Sequence, residues 1–155
     1  MGHVEAELIV NAPPEAVWNC LNDIAHTPEW VVGLEAAEVV TPGPFGLGTV
    51  YHDQNRLGPF PQVTPWRITT FTPLTQQVHE SESAALPSKM TLNLSPSPTG
   101  THVVMTVDYQ FLPRLGPVGR LLERVLMNRL LRQVLQQNLL NLDAYLASKS
   151  HQTPP

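Results

Sequence analysis

The chain has 155 residues, 42% of them hydrophobic and only 14% charged, with a net charge of −4. That length fits about one domain, able to bury roughly two-thirds of its unfolded surface, and the low charge excludes a mainly disordered chain. The acidic balance leaves no electrostatic footprint for nucleic acid or an anionic membrane.

The first segment, "HVEAELIVN", alternates. Val4, Ala6, Leu8 and Val10 point one way and His3, Glu5, Glu7 and Ile9 the other, which predicts a half-buried strand. "PPEAVWNCLNDI" follows. Pro13 and Pro14 suit a helix start, where a missing N–H costs nothing, and Glu15 suits the positive end of the dipole. Val17, Cys20, Leu21 and Ile24 form a helical stripe. Pro28 disfavours helix at Thr27, so the helix is expected to fray at His26–Thr27, with one more turn through Trp30. Cys20 is the one cysteine and reads as a small buried hydrophobe.

Six further strands are expected from residue 34 to about 112. "LEAAEVVT", "TVYHDQNRL", "VTPWRITTF", "QQVHESES", "KMTLNLS" and "THVVMTVDYQFL" are divided by turns such as "PGPFGLG", "TPLT" and "PSPTG". Most of the 16 prolines fall in these turns. The spacings fit hairpins, so the sheet should be antiparallel. Pro65 falls inside a strand and should mark a bulge or an edge.

From Val118 to about Ala147, past Gly119, one long helix is expected, about 45 Å at 1.5 Å per residue. Its apolar stripe wanders. Val118, Leu121, Leu122 and Val125 share one face, and Met127, Leu130, Leu131 and Val134 lie nearly opposite. Leu135, Leu139, Leu142 and Leu146 drift round again. One sheet cannot cover all three faces, so a bend or a change of partner is expected between Val125 and Arg129. The fold class is therefore α+β: a curved antiparallel sheet of about seven strands gripping a long C-terminal helix, with short helices after the first strand. It forms a single domain over 1–148, and 149–155 reads as a frayed tail.

These segments carry a resemblance. "PPEAVWNCLNDIAHTPEW", "GTVYHD", "PWRITTFTPLTQQVHES", "GTHVVMTVDYQF" and "LGPVGRLLERVLMNRLLRQVLQQNLLNL" resemble the SRPBCC superfamily of START-like and birch-pollen-allergen-like helix-grip proteins, polyketide cyclase/dehydrase type. The resemblance implies an apolar cavity between sheet and C-terminal helix. Its members bind lipids, quinones, hormones or polyketides, and some catalyse aromatic cyclisation. It supplies no universal catalytic motif.

Parity nominates the cavity wall. Val103, Met105, Val107, Tyr109 and Phe111 share a face, as do Met90, Leu92 and Leu94. In the third strand we take Tyr51, Asp53, Asn55 and Leu57 as inward, against Val50, His52, Gln54 and Arg56. Trp66 and Ile68 are inward in the fourth. The fifth leaves Val78, Glu80 and Glu82 or His79, Ser81 and Ser83 open. Trp30, Met127 and Leu131 complete the expected lining, with Trp30 closing one end. Asp53 is the best acid/base candidate, since a carboxylate in an apolar pocket has a raised pKa. Tyr51 and Tyr109 could donate hydrogen bonds to a carbonyl, and His79 or Glu80 could add a further group.

The six histidines show no metal spacing, so neither a metal nor another cofactor is expected. The glycines of "GPFGLG" precede no helix and read as a turn. "MGHVEAELIV" lacks a long apolar run, and no segment approaches about 18 apolar residues, so a cytoplasmic protein without membrane insertion is expected. Two functions fit: binding of an apolar small molecule, or a cyclase or dehydratase acting on a poly-β-keto or related carbonyl compound. Self-association as a homodimer through the odd helical face is compatible with both.

Overall fold

The computed structural model describes residues 2–57, 59–81, 87–110 and 117–152. Seven strands form one antiparallel sheet: β1 (Gly2–Val10), β2 (Leu34–Val39), β3 (Val50–Leu57), β4 (Phe60–Thr72), β5 (Gln76–Ser81), β6 (Ser88–Ser97) and β7 (Gly100–Tyr109). Their order is β1-β7-β6-β5-β4-β3-β2. Strands β2 to β7 follow one another as neighbours, and β1 pairs with β7, which puts it at one edge. Helix α1 (Pro14–Asn22) and a 3₁₀ segment (Ile24–Glu29) follow β1, and α2 (Pro117–Gln152) closes the chain. Phe111 lies outside the described residues.

Helix α1 ends earlier than Pro28 alone would require. It stops at Asn22, and Asp23 leaves helical geometry at ψ 75°. The chain then tightens into 3₁₀ geometry and passes straight through Pro28. Proline offers no N–H to the Ile24 carbonyl. The Thr27 hydroxyl donates to that carbonyl instead, at 2.7 Å, so the turn survives. Ile24 therefore leaves the helical stripe and packs with Tyr51 and Ile68.

Pro65 is paired with His52 of β3 in regular register. Among the described residues, pairing of β4 with β5 starts at Arg67, so Pro65 lies outside that described pairing. The bulge of β4 lies further on, between Ile68 and Thr70. It switches the inward set from Trp66 and Ile68 to Phe71, which packs on Trp18 at 5.1 Å between ring centroids.

The core lies between the sheet, α1 and α2. Val4, Val10, Leu92, Val103 and Met105 meet Val17, Trp18 and Leu21 of α1 and Leu135, Leu139 and Leu142 of α2. Each fully buried leucine contributes about 1.5–3 kcal/mol. Helix α2 is continuous through Val125–Arg129 and extends past the expected Ala147 to Gln152. What changes near Met127 is the partner. Met127 and Leu131 pack at the margin of the core, whereas Val118, Leu121 and Val125 are exposed, as is Leu130. The stripe that wins is the one from Met127 through Leu131, Leu135, Leu139 and Leu142, spaced for one helical face.

Candidate functional site

On the concave face the strands bring polar side chains together in cross-strand rows. Tyr51 of β3 lies opposite Trp66 of β4, His79 of β5 opposite Met90 of β6, and Ser88 of β6 opposite both Ser81 and Tyr109. Across the outer face, the neighbouring row alternates in charge: Arg67, Glu80, Lys89, Asp108 and His3 fall opposite one another on five strands. Opposite charges placed this way favour the observed register. They leave Glu80 outside and His79 inside, which decides the face that parity alone left open. Glu80 is exposed and His79 buried.

Four of the inner residues form a directed chain of hydrogen bonds. The Tyr51 hydroxyl is 2.6 Å from His79 Nδ1, His79 Nε2 is 2.9 Å from Gln77 Oε1, and Gln77 Nε2 donates to Asn22 Oδ1 at 2.5 Å. Gln77 spends its amide on Asn22, so its carbonyl oxygen must accept from His79. His79 then carries its proton on Nε2 and offers a lone pair at Nδ1. Burial lowers its pKa to about 4, which keeps the ring neutral. Tyr51 is the donor to Nδ1. Burial, and then the nearby Asp53 charge, push its phenol well above the usual range.

Asp53 stands two residues from Tyr51 on the same face of β3. Its Oδ1 is buried and has no hydrogen-bond partner. Burial raises its pKa to about 7, and only the hydrogen bond from the Trp66 side chain works the other way. A neutral carboxyl is a donor as well as an acceptor, so Asp53 can donate to a carbonyl from a dry site.

An open cleft of about 970 Å³ lies at this end of the sheet. Trp66, Ser81, Ser88 and Tyr109 contribute to its wall from the inner rows, and Arg67, Glu80, Lys89 and Asp108 from the outer row. Trp66 belongs both to this wall and to the partners of Asp53, so it is the residue the two share. The Tyr109 hydroxyl is committed to Asn128 Oδ1 of α2. Both tyrosines named as donors to a carbonyl have thus given their protons to protein partners, and that expectation is corrected.

The other residues proposed for the cavity divide by depth. Trp30, Leu92 and Met105 sit within the packed core. Met90, Val107, Met127 and Leu131 are half-buried at its margin. His79 was foreseen only as one of two alternatives. Gln77 and Asn22 were missed, because nothing in the local pattern marks an amide as inward. The signal that could have found Gln77 is the charge row on the outer face, which fixes the parity of β5; Asn22 lies at the end of α1 and carries no such signal. Among the described residues, no group of three or more His, Cys, Asp or Glu side chains is placed to hold a metal ion. Among them, too, no helix is long and apolar enough to cross a membrane.

A curved antiparallel sheet closed by one long helix, with polar groups gathered at one end of an apolar concave face, defines a helix-grip protein of the SRPBCC type. The chain belongs to the family described as polyketide cyclase / dehydrase and lipid transport, whose model matches residues 1–147. Membership supports hydrophobic-ligand binding or cyclase chemistry in general terms. No curated protein matches it in sequence. Among solved structures, it is similar to TTHA0849 from Thermus thermophilus, with 22% identity and a TM-score of 0.76 over 96% of this chain and 99% of that one. It is also similar to the di-domain ARO/CYC StfQ from the steffimycin biosynthetic pathway, with 14% identity and a TM-score of 0.77 over 96% of this chain and 51% of that one. Ara h 8.0201 matches with 16% identity and a TM-score of 0.68 over 94% of this chain and 98% of that one. At these identities the likeness is one of fold.

Proposed function

We propose that the protein binds an apolar small molecule that carries a carbonyl oxygen, of lipid, quinone or polyketide-like chemistry. Its body would rest on Trp66, Met90, Val107, Met127 and Leu131, and its oxygen would meet Asp53. The observation that carries this reading is the Asp53 carboxyl: half-buried, with an Oδ1 that is buried and has no partner, and with a pKa raised by burial to about 7. A polar atom left so in a dry site costs about 1–3 kcal/mol, and a ligand acceptor removes that cost. One polar anchor in apolar surroundings is the usual form of a small-molecule site.

The second reading is a cyclase or dehydratase acting on a poly-β-keto or related carbonyl substrate. A carboxyl that titrates near neutrality is suited to proton transfer, and this favours it. Catalysis of enolisation needs a base and a separate donor to the enolate oxygen. With the Tyr51 and Tyr109 protons committed, Asp53 would have to supply both, so we place binding first.

The test begins with mass spectrometry of small molecules that co-purify with the protein. Binding of that molecule, or of 1-tetralone as a probe, is then compared between the unchanged protein and Asp53→Leu, which is expected to bind about tenfold more weakly through loss of the hydrogen bond. Equal affinity would remove Asp53 as the anchor. Turnover of a poly-β-keto substrate that vanishes in Asp53→Asn would promote the enzyme reading.

A further inference from the structure

The chain from Tyr51 to Asn22 is an expensive thing to bury. Tyr51, His79 and Gln77 are 4%, 2% and 0% exposed. Apolar side chains would fill the same volume without the cost of desolvating three polar groups. The chain also runs in one direction only. Asn22 Oδ1, at the end of α1, accepts from the Gln77 amide; Gln77 Oε1 accepts from His79 Nε2–H; His79 Nδ1 accepts from the Tyr51 hydroxyl. Its end product is a phenol oxygen that has no proton left to give and still holds lone-pair capacity.

We propose that His79, set by Gln77 and Asn22, holds Tyr51 as a hydrogen-bond acceptor beside Asp53, so that the preferred ligand carries a hydroxyl donor as well as a carbonyl. The ligand class is a hydroxy-ketone or hydroxy-quinone rather than a simple ketone or hydrocarbon. This rests on the carbonyl-anchor reading above and narrows it. Tyr51 and Asp53 are two residues apart on one face of β3, so their Cα atoms are about 6.6 Å apart. His79, Gln77 and Asn22 act through Tyr51 and are positioning residues. The requirement works by exclusion: a ligand that presents only an acceptor to Tyr51 sets lone pair against lone pair, and one that presents an apolar group leaves the phenol's lone pair without a donor.

The experiment uses two probes of one skeleton, 6-hydroxy-1-tetralone and 6-methoxy-1-tetralone. They share the ketone and differ in the ability to donate. The unchanged protein should bind the hydroxy probe about tenfold or more tightly over the methoxy probe. His79→Phe removes the acceptor at Nδ1 and frees the Tyr51 proton, so the ratio should fall to about twofold or less. His79→Asn places an amide oxygen where Nδ1 was and should restore most of the preference. Tyr51→Phe keeps the ring, abolishes the preference, and carries the test if His79→Phe does not fold. A purely structural role for His79 would weaken both probes in parallel and leave the ratio intact, which overturns the proposal. Equal binding of the two probes by the unchanged protein also overturns it while leaving the carbonyl anchor standing. Failure to bind either probe or 1-tetralone itself would overturn both.

Discussion

Asn138 of α2 accepts the backbone N–H of Val32 through its Oδ1 at 2.8 Å. One turn on, Asn141 donates to the Trp30 carbonyl at 3.1 Å. The long helix is thus stitched to the segment that leaves the 3₁₀ turn, with the Trp30 side chain, 5% exposed, beneath the stitch. This is why a tryptophan follows the 3₁₀ segment. The ring is the wedge that fills the corner, and the asparagines hold its backbone.

Trp30→Ala should therefore cost about 3–5 kcal/mol, the range for truncating a buried large aromatic. Asn138→Leu should cost about 1–3 kcal/mol by stranding the Val32 N–H. Equilibrium urea denaturation measures both. A change below about 1 kcal/mol for Trp30→Ala would remove the wedge from the account of the core.

Asp53 and His79 pull stability in opposite directions as pH changes. The folded state keeps the Asp53 proton up to about pH 7, whereas the ordinary value is 3.8. That contribution is complete below 3.8 and is lost as pH rises to 7, at about 1.4 kcal/mol per unit. His79 is held near 4 against an ordinary 6.5. Its contribution is complete above 6.5 and is lost as pH falls to 4, with a similar slope. Between 4 and 6.5 the two nearly cancel. Asp53→Asn should expose the histidine slope, becoming more stable as pH rises across that window. His79→Asn should expose the opposite slope. Urea midpoints at half-unit pH intervals decide it, and curves parallel to that of the unchanged protein would show that neither group is shifted.

Met105 and Met90 both point inward, yet they should respond differently to enlargement. Met105 is 2% exposed within the packed core, so Met105→Trp should cost about 1–3 kcal/mol by overpacking. Met90 is half-buried beside His79 at the core margin. Met90→Trp should leave the thermal midpoint nearly unchanged while blocking an apolar fluorophore. Equal destabilisation by the two would mean that the space beside His79 is already full.

The first half of α2 should tolerate charge. Leu121 and Val125 are 63% and 59% exposed, so Leu121→Glu and Val125→Glu should change stability by about 0.5 kcal/mol or less. Leu139→Ala, on the same helix but fully buried, should cost about 2–5 kcal/mol. A large loss in the glutamate variants, measured at low concentration and again at high concentration, would reveal a contact made by a second copy.

Much of this was legible along the chain because local periodicity is set by local geometry. Alternation in "HVEAELIV" and "THVVMTVDY" has the period of a strand, and the turns between runs limit the sheet to hairpins. The same rule puts Tyr51 and Asp53 on one face of β3. The break of α1 at Asp23 was not legible. Nor was the 3₁₀ turn that runs on through Pro28, which survives because Thr27 satisfies the carbonyl that Pro28 cannot. Nor was the choice among the three stripes of α2, since helical pattern says which residues share a face and not which face meets the sheet. Only the tertiary structure decided the direction of the Tyr51 proton. That direction depends on His79, Gln77 and Asn22, which lie 28, 26 and 29 positions from Tyr51 in the chain, and on a parity of β5 fixed by charges on the opposite face of the sheet. Hydrogen bonds between residues so far apart leave no periodic trace, because their partners are chosen by register and not by sequence spacing.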